Sequence, residues 1–220
     1  MPAKKLTAMA VLGKLKSIYN PPNTFLKWRT PIDLVVVTIL SAQCTDKRVN
    51  EVSKLLYKKY KKPEDYVKVT QAEFENDIRS TGFFRTKAKN IQALCHILLQ
   101  KHGGKVPQTM EELVQLPGVG RKTASIILHA AFGKNEGIAV DTHVLRLSRR
   151  LGLTKHKDQG KIEKDLMKAV SQKEWGAVNN LLVSHGRAVC TARGRKCSEC
   201  VFKKSCPSSL ILRKKDMAKS

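Results

Sequence analysis

The chain has 220 residues, of which 42 are Lys or Arg and 18 are Asp or Glu, and its formal net charge is +24. An excess of this size indicates a polyanionic partner, with nucleic acid first and an anionic membrane surface second. No apolar run approaches the roughly 20 residues that span a bilayer, and no signal-peptide core follows the N-terminal lysines. We therefore expect an intracellular protein, located in the cytoplasm or nucleoid if its source is prokaryotic.

Helical periodicity runs through most of the chain. Pro21-Pro22 ends the first helix, and Thr30-Pro31 suits the N-cap and first position of the next. The apolar residues 32–40 could form a strand on β-propensity alone, but we favour a buried helix because the surrounding segments are helical. The last long helix is predicted over residues 175–184, with His185-Gly186 ending it.

Two turns in the first half of the chain carry candidate functional residues. Gln43 lies at a sharp corner between the buried helix and the next one, where a solvated turn residue is the ordinary interpretation. Gly82 marks a second turn, followed by Phe83 and Phe84, at least one of which we expect to anchor the core. Thr86 then fits the N-cap of a helix.

Residues 116–120, LPGVG, form a short apolar turn between two predicted helices. Gly118 and Gly120 permit positive φ angles and leave no side chain between the backbone and a ligand. The second helix is predicted to begin at Arg121 and to end at Gly133. Its N-terminus and the N–H groups of the turn form an anion site suited to a phosphate, a contact that positions DNA without reading its sequence.

Lys122 lies in the first turn of that helix, where the helix dipole and the adjacent Arg121 disfavour an ammonium ion. A neutral lysine amine is a usable nucleophile, whereas a charged one would simply contact a phosphate. Asp141 follows nineteen residues later, and its ordinary interpretation is a helix N-cap. Because a helix and a loop separate the two, the chain can return to the same face and place amine and carboxylate in one cleft.

Four of the six cysteines lie in the C-terminal region, spaced as Cys190-x6-Cys197-x2-Cys200-x5-Cys206. Disulfides are disfavoured in an intracellular chain, so the four thiols indicate either a zinc site or an iron–sulfur cluster. The first cysteine loop contains three cations, which a bound metal centre would hold rigid and aim at phosphates. These cations are Arg193, Arg195 and Lys196.

The chain resembles the endonuclease III family of DNA glycosylases over nearly its whole length. LPGVGRKTA with VDTH is similar to the family's helix-hairpin-helix, Gly/Pro-rich loop and catalytic Asp, and LSAQ-x-TD is similar to a second signature. The resemblance implies that Lys122 and Asp141 are catalytic. It also implies that Gln43 fills the gap left by a flipped base and that Phe83 is an apolar wedge, where family members often carry Leu. The cysteine spacing is that of the family's [4Fe–4S] cluster.

The resemblance implies an all-α fold of two lobes. Residues 24–135 would form a helical barrel ending in the helix-hairpin-helix, residues 1–23 and 136–220 would form the cluster lobe, and the catalytic pair would meet at the boundary. The expected DNA-contacting residues are Gln43, Phe83, Gly118, Gly120, Arg121, Arg193, Arg195 and Lys196.

The implied function is that of a bifunctional DNA glycosylase and abasic-site lyase. It would remove oxidised or damaged pyrimidines in base excision repair, as a monomer acting on double-stranded DNA with damaged bases or abasic sites. Two alternatives stay open: a monofunctional glycosylase for mismatched or alkylated bases, and a non-enzymatic DNA-binding module.

Overall fold

The computed structural model describes residues 6–212, and the basic segment at residues 213–215 lies outside them. Within the described residues all regular structure is helical and no strand occurs, which confirms the all-α prediction. None of these helices combines the length and apolarity needed to cross a bilayer. Packing divides the chain into two compact units, Thr24–Lys134 and Met1–Asn23 together with Asn135–Ser220.

The α-helices within residues 6–212 are, in chain order, α1 (Ala8–Lys16), α2 (Pro31–Leu40), α3 (Asp46–Lys59), α4 (Pro63–Lys68), α5 (Gln71–Ile78), α6 (Phe84–His102), α7 (Met110–Leu113), α8 (Arg121–Phe132), α9 (Thr142–Arg150), α10 (Gln159–Ala169) and α11 (Trp175–Ala188). Two 3-10 turns also occur: Arg79–Thr81 lies two residues before α6, and Gln172–Glu174 directly precedes α11.

Helix α2 runs through the core of the unit Thr24–Lys134, and every residue from Ile32 to Leu40 is buried. It packs against α3, α6 and α8. Thr30 caps the helix and Pro31 occupies its first turn, as the sequence predicts. The helical interpretation of residues 32–40 is therefore confirmed, because a helix surrounded by other helices must be apolar on all sides.

The one acidic residue of α2, Asp33, is fully buried at the N-terminus of the helix. Its carboxylate accepts a hydrogen bond from Nε of Arg29 at 2.9 Å and from the backbone N–H groups of Arg29 and Thr30 at 3.3 Å each. The guanidinium of Arg29 in turn lies 4.3 Å from the ring centroid of Tyr57. The buried charge is thus paired and hydrogen-bonded, as burial of a carboxylate requires.

Helices α1, α9, α10 and α11 enclose the core of the second unit. Helices α9 and α11 approach each other closely at Gly186, where an added Cβ would lie 2.9 Å from Cδ2 of His143 and 3.0 Å from Nη2 of Arg146. Gly186 therefore serves this close contact, and α11 continues through it to Ala188. The predicted helix end at His185-Gly186 is wrong.

The start of α6 also differs from the prediction. Phe83 is the N-cap in a left-handed conformation, with φ 48° and ψ 28°, and the helix begins at Phe84. Thr86, the predicted cap, lies inside the first turn. No local signal marks Phe83 as a cap, because residues with a branched or bulky side chain rarely adopt positive φ.

We expect the paired carboxylate of Asp33 to contribute strongly to the free energy of unfolding. We expect Asp33→Ala to lower the free energy of unfolding by about 3 kcal/mol, because it leaves buried donors unpaired. The matched control is Asp158→Ala, which removes an exposed N-cap of α10 and should cost about 1 kcal/mol. Urea unfolding followed by circular dichroism measures both losses, and equal losses would contradict this account.

Candidate active site

The turn between α7 and α8 is held by apolar burial and one glycine. Leu116 and Val119 are buried, and the N–H of Val119 donates to the carbonyl of Leu116 at 3.0 Å. Gly118 has φ 79°, and a Cβ there would lie 3.2 Å from Cβ of Asn90, so this position requires glycine. Gly120, with φ −89°, is extended, and the expectation of positive φ holds only for Gly118.

Helix α8 begins at Arg121 and ends with Gly133 in the left-handed conformation, as predicted. Its N-cap, Gly120, supplies no side-chain acceptor, so the N–H groups of the first turn receive no cap from it. Lys122 lies in this first turn and is exposed. An uncapped helix N-terminus beside an exposed amine is suited to a phosphate together with a nucleophile.

Asp141 caps α9 with one oxygen of its carboxylate. Oδ1 accepts hydrogen bonds from the backbone N–H groups of His143 at 2.9 Å and Val144 at 2.8 Å. Oδ2 lies 3.3 Å from Nδ1 of His143, and the Asp141 side chain is 25% exposed. The N-cap interpretation of Asp141 is confirmed. The contact with His143 was not predicted, although the D-x-H spacing contains it.

The segment that precedes Asp141 is fixed by side chains from two helices. Ile138, Ala139 and Val140 are buried. The N–H of Ile138 donates to Oε1 of Glu163 on α10 at 3.2 Å, and Nδ2 of Asn179 on α11 donates to the carbonyl of Ala139 at 2.8 Å. The carboxylate of Asp141 therefore emerges from a rigid backbone on both sides.

The two predicted insertion residues share an unusual backbone conformation. Within residues 6–212, Gln43 (φ 53°) and Phe83 (φ 48°) are the non-glycine residues with positive φ. Gln43 is exposed, and Phe83 is 64% exposed. Phe84 instead packs against the core, as does the partly buried Cys44. The exposed member of the phenylalanine pair is thus Phe83, the residue predicted as the wedge.

A buried lysine that no sequence pattern predicts lies beneath these two turns. Lys87 on α6 is 4% exposed, and its Nζ donates to the carbonyls of Leu40 and Thr81 at 2.8 Å each. Burial lowers the pKa of Lys87, and the nearby Cys44 opposes that change. Nothing in the local sequence distinguishes this lysine from the exposed lysines around it.

The four C-terminal cysteines surround one cavity. It is lined by Cys190, Cys197, Cys200 and Cys206 together with cationic side chains that include Arg150 and Arg195. Each of the four is a free thiol in this structure. Among residues 6–212, no three Cys, His, Asp or Glu side chains converge closely enough to hold a single metal ion.

Side chains from α9 and α11 hold the walls of this cavity. Nη1 of Arg150 donates to Sγ of Cys190 at 3.3 Å and to the carbonyl of Thr191 at 2.7 Å. Nε2 of His185 lies 3.5 Å from Sγ of Cys200, and Nδ1 of the same ring lies 3.0 Å from the hydroxyl of Tyr19. Burial lowers the pKa of His185 and raises that of Cys200, since it disfavours the charged form of each.

The cations of the first cysteine loop differ in their surroundings. Arg193 is exposed, whereas Arg195 is half-buried and its Nη1 donates to the carbonyl of Ser208 at 2.9 Å. Lys196 is exposed and lies 3.9 Å from the carboxylate of Glu199. Arg193 is thus directed to solvent, whereas Arg195 also stabilises the loop.

The chain is similar to known proteins over most of its length. Residues 36–172 match a family described as HhH-GPD superfamily base excision DNA repair protein. An endonuclease III from Synechocystis sp. is 49% identical over 209 residues, which are 95% of each chain.

Solved structures of endonuclease III with DNA also match. A non-covalent endonuclease III–DNA complex has a TM-score of 0.88 and 41% identity, over 97% of this chain and 99% of that one. A trapped endonuclease III–DNA covalent intermediate, an estranged-adenine complex, has a TM-score of 0.88 and 41% identity, over 96% and 99%.

The cap that Asp141 forms on α9 can be tested by protein stability, independently of any chemical role of its carboxylate. We expect Asp141→Ala to lower the free energy of unfolding by about 1 kcal/mol, because two backbone N–H groups lose their acceptor. Asp141→Asn keeps an oxygen in place and should stay within about 0.5 kcal/mol of the parent. Thr142→Ala, at the next and exposed position, is the control. Urea unfolding gives all three values, and an Asn variant as unstable as the Ala variant would be inconsistent with the cap.

Proposed function

The chain belongs to the endonuclease III family within the HhH-GPD superfamily of base excision DNA repair proteins, and we propose that Lys122 and Asp141 carry out its two reactions. It is a DNA glycosylase and abasic-site lyase of base excision repair. The family, the fold and the DNA partner predicted from the sequence are confirmed. The observation that carries the proposed residue roles is the exposed amine of Lys122 on an uncapped helix N-terminus.

In the proposed reaction, the neutral amine of Lys122 attacks C1′ of the damaged nucleotide. The C1′–base bond breaks and the base leaves with the bonding electron pair. Asp141 stabilises the positive charge that develops on the sugar and assists proton transfer. The amine then loses a proton and the C1′–O4′ bond of the sugar ring opens, which leaves a Schiff base between Lys122 and C1′. A proton is lost from C2′, the C3′–O bond breaks, and the 3′ phosphate leaves, so that β-elimination cleaves the strand on the 3′ side. The 41% identical endonuclease III that was trapped as a covalent DNA intermediate supports this route.

DNA binding is proposed to use three surfaces. The first-turn N–H groups of α8, after Gly118 and Gly120, would bind a phosphate, with Arg121 beside them. Gln43 and Phe83 would enter the duplex where the base is extruded, and their exposure supports this role. Arg193 and its neighbours would bind further phosphates, and the net charge of +24 favours such contacts throughout.

The four cysteines are proposed to hold a [4Fe–4S] cluster. The convergence of all four cysteines on one cavity and the number of thiols fit such a group. When bound, the cluster would supply structural cross-linking of the segment from Cys190 to Cys206. Arg150 would fix the orientation of Cys190 through its contacts with the thiol and with the carbonyl of Thr191.

The proposed substrates are oxidised or damaged pyrimidines in double-stranded DNA, and the protein would act inside the cell as a monomer. A monofunctional glycosylase would use Asp141 to activate water and would form no covalent adduct. A binding module would show no preference for a lesion.

The lyase proposal is tested with duplex DNA carrying one thymine glycol, with and without borohydride. The parent protein should cut the strand in one sample and give a trapped protein–DNA adduct in the other. Lys122→Gln should lower strand cleavage and adduct formation by more than about 100-fold each, because the nucleophile is gone. Lys105→Gln removes an equal charge from an exposed lysine of the same unit and should leave both unchanged.

An adduct formed by Lys122→Gln at the parent yield would overturn the assignment of the nucleophile. Base loss by the parent protein without an adduct would indicate the monofunctional alternative. Asp141→Asn should retain its fold and lose base excision, so its activity reports on chemistry and not on stability.

The metal centre is tested by elemental analysis of protein purified without oxygen. Iron and inorganic sulfide should be present in equal amounts, with broad visible absorption. Cys197→Ala should lose most of the iron, because one of four ligands is missing. Cys44→Ala, a cysteine distant in sequence from the four, should keep its iron. Stoichiometric zinc without iron would contradict the cluster and favour a zinc site.

A further inference from the structure

Two turns of the unit Thr24–Lys134 carry the proposed insertion residues, and one buried ammonium group bonds to both turns. Lys87 is 4% exposed and donates from Nζ to the carbonyls of Leu40 and Thr81. A buried lysine is costly unless hydrogen bonds and dipoles compensate for lost hydration. An apolar residue in this position would leave the carbonyls of Leu40 and Thr81 without this donor, so the role of Lys87 lies in these two contacts and not in its volume.

The first contact fixes the turn that carries Gln43. Leu40 is the last residue of α2, and Gln43 follows three residues later. Carbonyls in the last turn of a helix have no intrahelical donor, and the negative end of the helix dipole favours a cation. The ammonium of Lys87 therefore caps α2 at the point where the corner begins.

The second contact fixes the turn that carries Phe83. Thr81 ends the 3-10 turn Arg79–Thr81 and lies two residues before Phe83. The backbone N–H of Lys87 also donates to the carbonyl of Phe83, at 3.1 Å. Lys87 thus holds this turn on both sides of Gly82. Phe83, within the turn, has a left-handed conformation that is unfavourable for a residue with a side chain.

We propose that Lys87 is a positioning residue that couples the Gln43 and Phe83 turns, so that both side chains enter the duplex as one rigid element. This inference rests on the proposed insertion roles of Gln43 and Phe83. Leu40 and Lys87 are 47 residues apart in sequence, so this contact joins the two turns directly, in addition to the packing of α2 on α6 and of α3 on the 3-10 turn. A rigid pair loses less entropy on insertion than two independent loops.

The test measures excision of thymine glycol by excess protein, in a single turnover, for Lys87→Met. The rate should fall about tenfold or more, because misplacement by about 1 Å is sufficient for such a loss. Fluorescence of a 2-aminopurine placed beside the lesion should report slower base extrusion by the same variant. Lys101→Met removes an equal charge from an exposed position on α6 and should behave as the parent.

A double-mutant cycle separates coupling from general destabilisation. Lys87→Met should have little further effect in a Gln43→Ala, Phe83→Ala background, because the residues through which it acts are absent. Ile91→Ala, at a fully buried position on α6, lowers stability without removing a donor to either carbonyl. It should leave the extrusion rate unchanged at a temperature where the protein is folded. If Lys87→Met does not fold, Lys87→Gln, which keeps an N–H donor, enters the same cycle.

If Lys87→Met lowers the excision rate by the same factor in the parent and in the Gln43→Ala, Phe83→Ala background, the coupling proposal is overturned while the insertion roles stay intact. A parent-like excision rate for Lys87→Met would do the same. If Gln43→Ala, Phe83→Ala alone excises at the parent rate, the proposed insertion roles fail, and the coupling proposal fails with them.

Discussion

The N–H groups at the start of each helix must find acceptors outside the helix, and this constraint organises much of the molecule. Among the described helices, threonine or aspartate side chains cap α1, α2, α3, α5, α7, α9 and α10. Helices α6 and α8 have no such cap, and they follow the Phe83 turn and the glycine hairpin. The helices behind the proposed DNA-contacting turns thus begin with N–H groups that no side chain of the N-cap satisfies. Helices α4 and α11 also have no side-chain N-cap hydrogen bond, so the position of α6 and α8 behind these turns, and not the missing cap alone, places positive potential at the proposed DNA contacts.

Local sequence predicts the capped ends well, because a cap is a contact across three residues. Thr30 and Asp141 were identified in this way, and both caps occur in the structure. Contacts over longer distances in sequence were not predicted. Phe83 caps α6 in place of Thr86 because the turn before it is fixed from elsewhere. Gly186 was interpreted as a helix end, yet its small size serves the approach of α9.

For the candidate site too, short motifs predict some features and leave others open. The resemblance of short motifs to a family identified the fold, the enzyme class and the DNA partner, and the comparisons confirm these. The roles of Lys122 and Gln43 and the identity of the metal centre stay predictions, because each depends on a partner that is not part of the chain. Cysteine spacing alone left zinc and iron–sulfur open, and only the resemblance to the family favours iron–sulfur. Lys87 could not be found from sequence, since a buried lysine and a solvated one look alike in a basic chain.

The cap on α9 has a consequence for the acid that forms it. Two backbone N–H groups hold Oδ1 of Asp141, so rotation of the carboxylate about its side-chain bonds breaks both hydrogen bonds. Oδ2 therefore has a direction that is set during folding, before any ligand arrives. Charge that develops near it meets an oriented group with little reorganisation left to perform. The first turn of α9 thus restricts rotation of the carboxylate, so the orientation of the acid depends on the same hydrogen bonds that begin the helix.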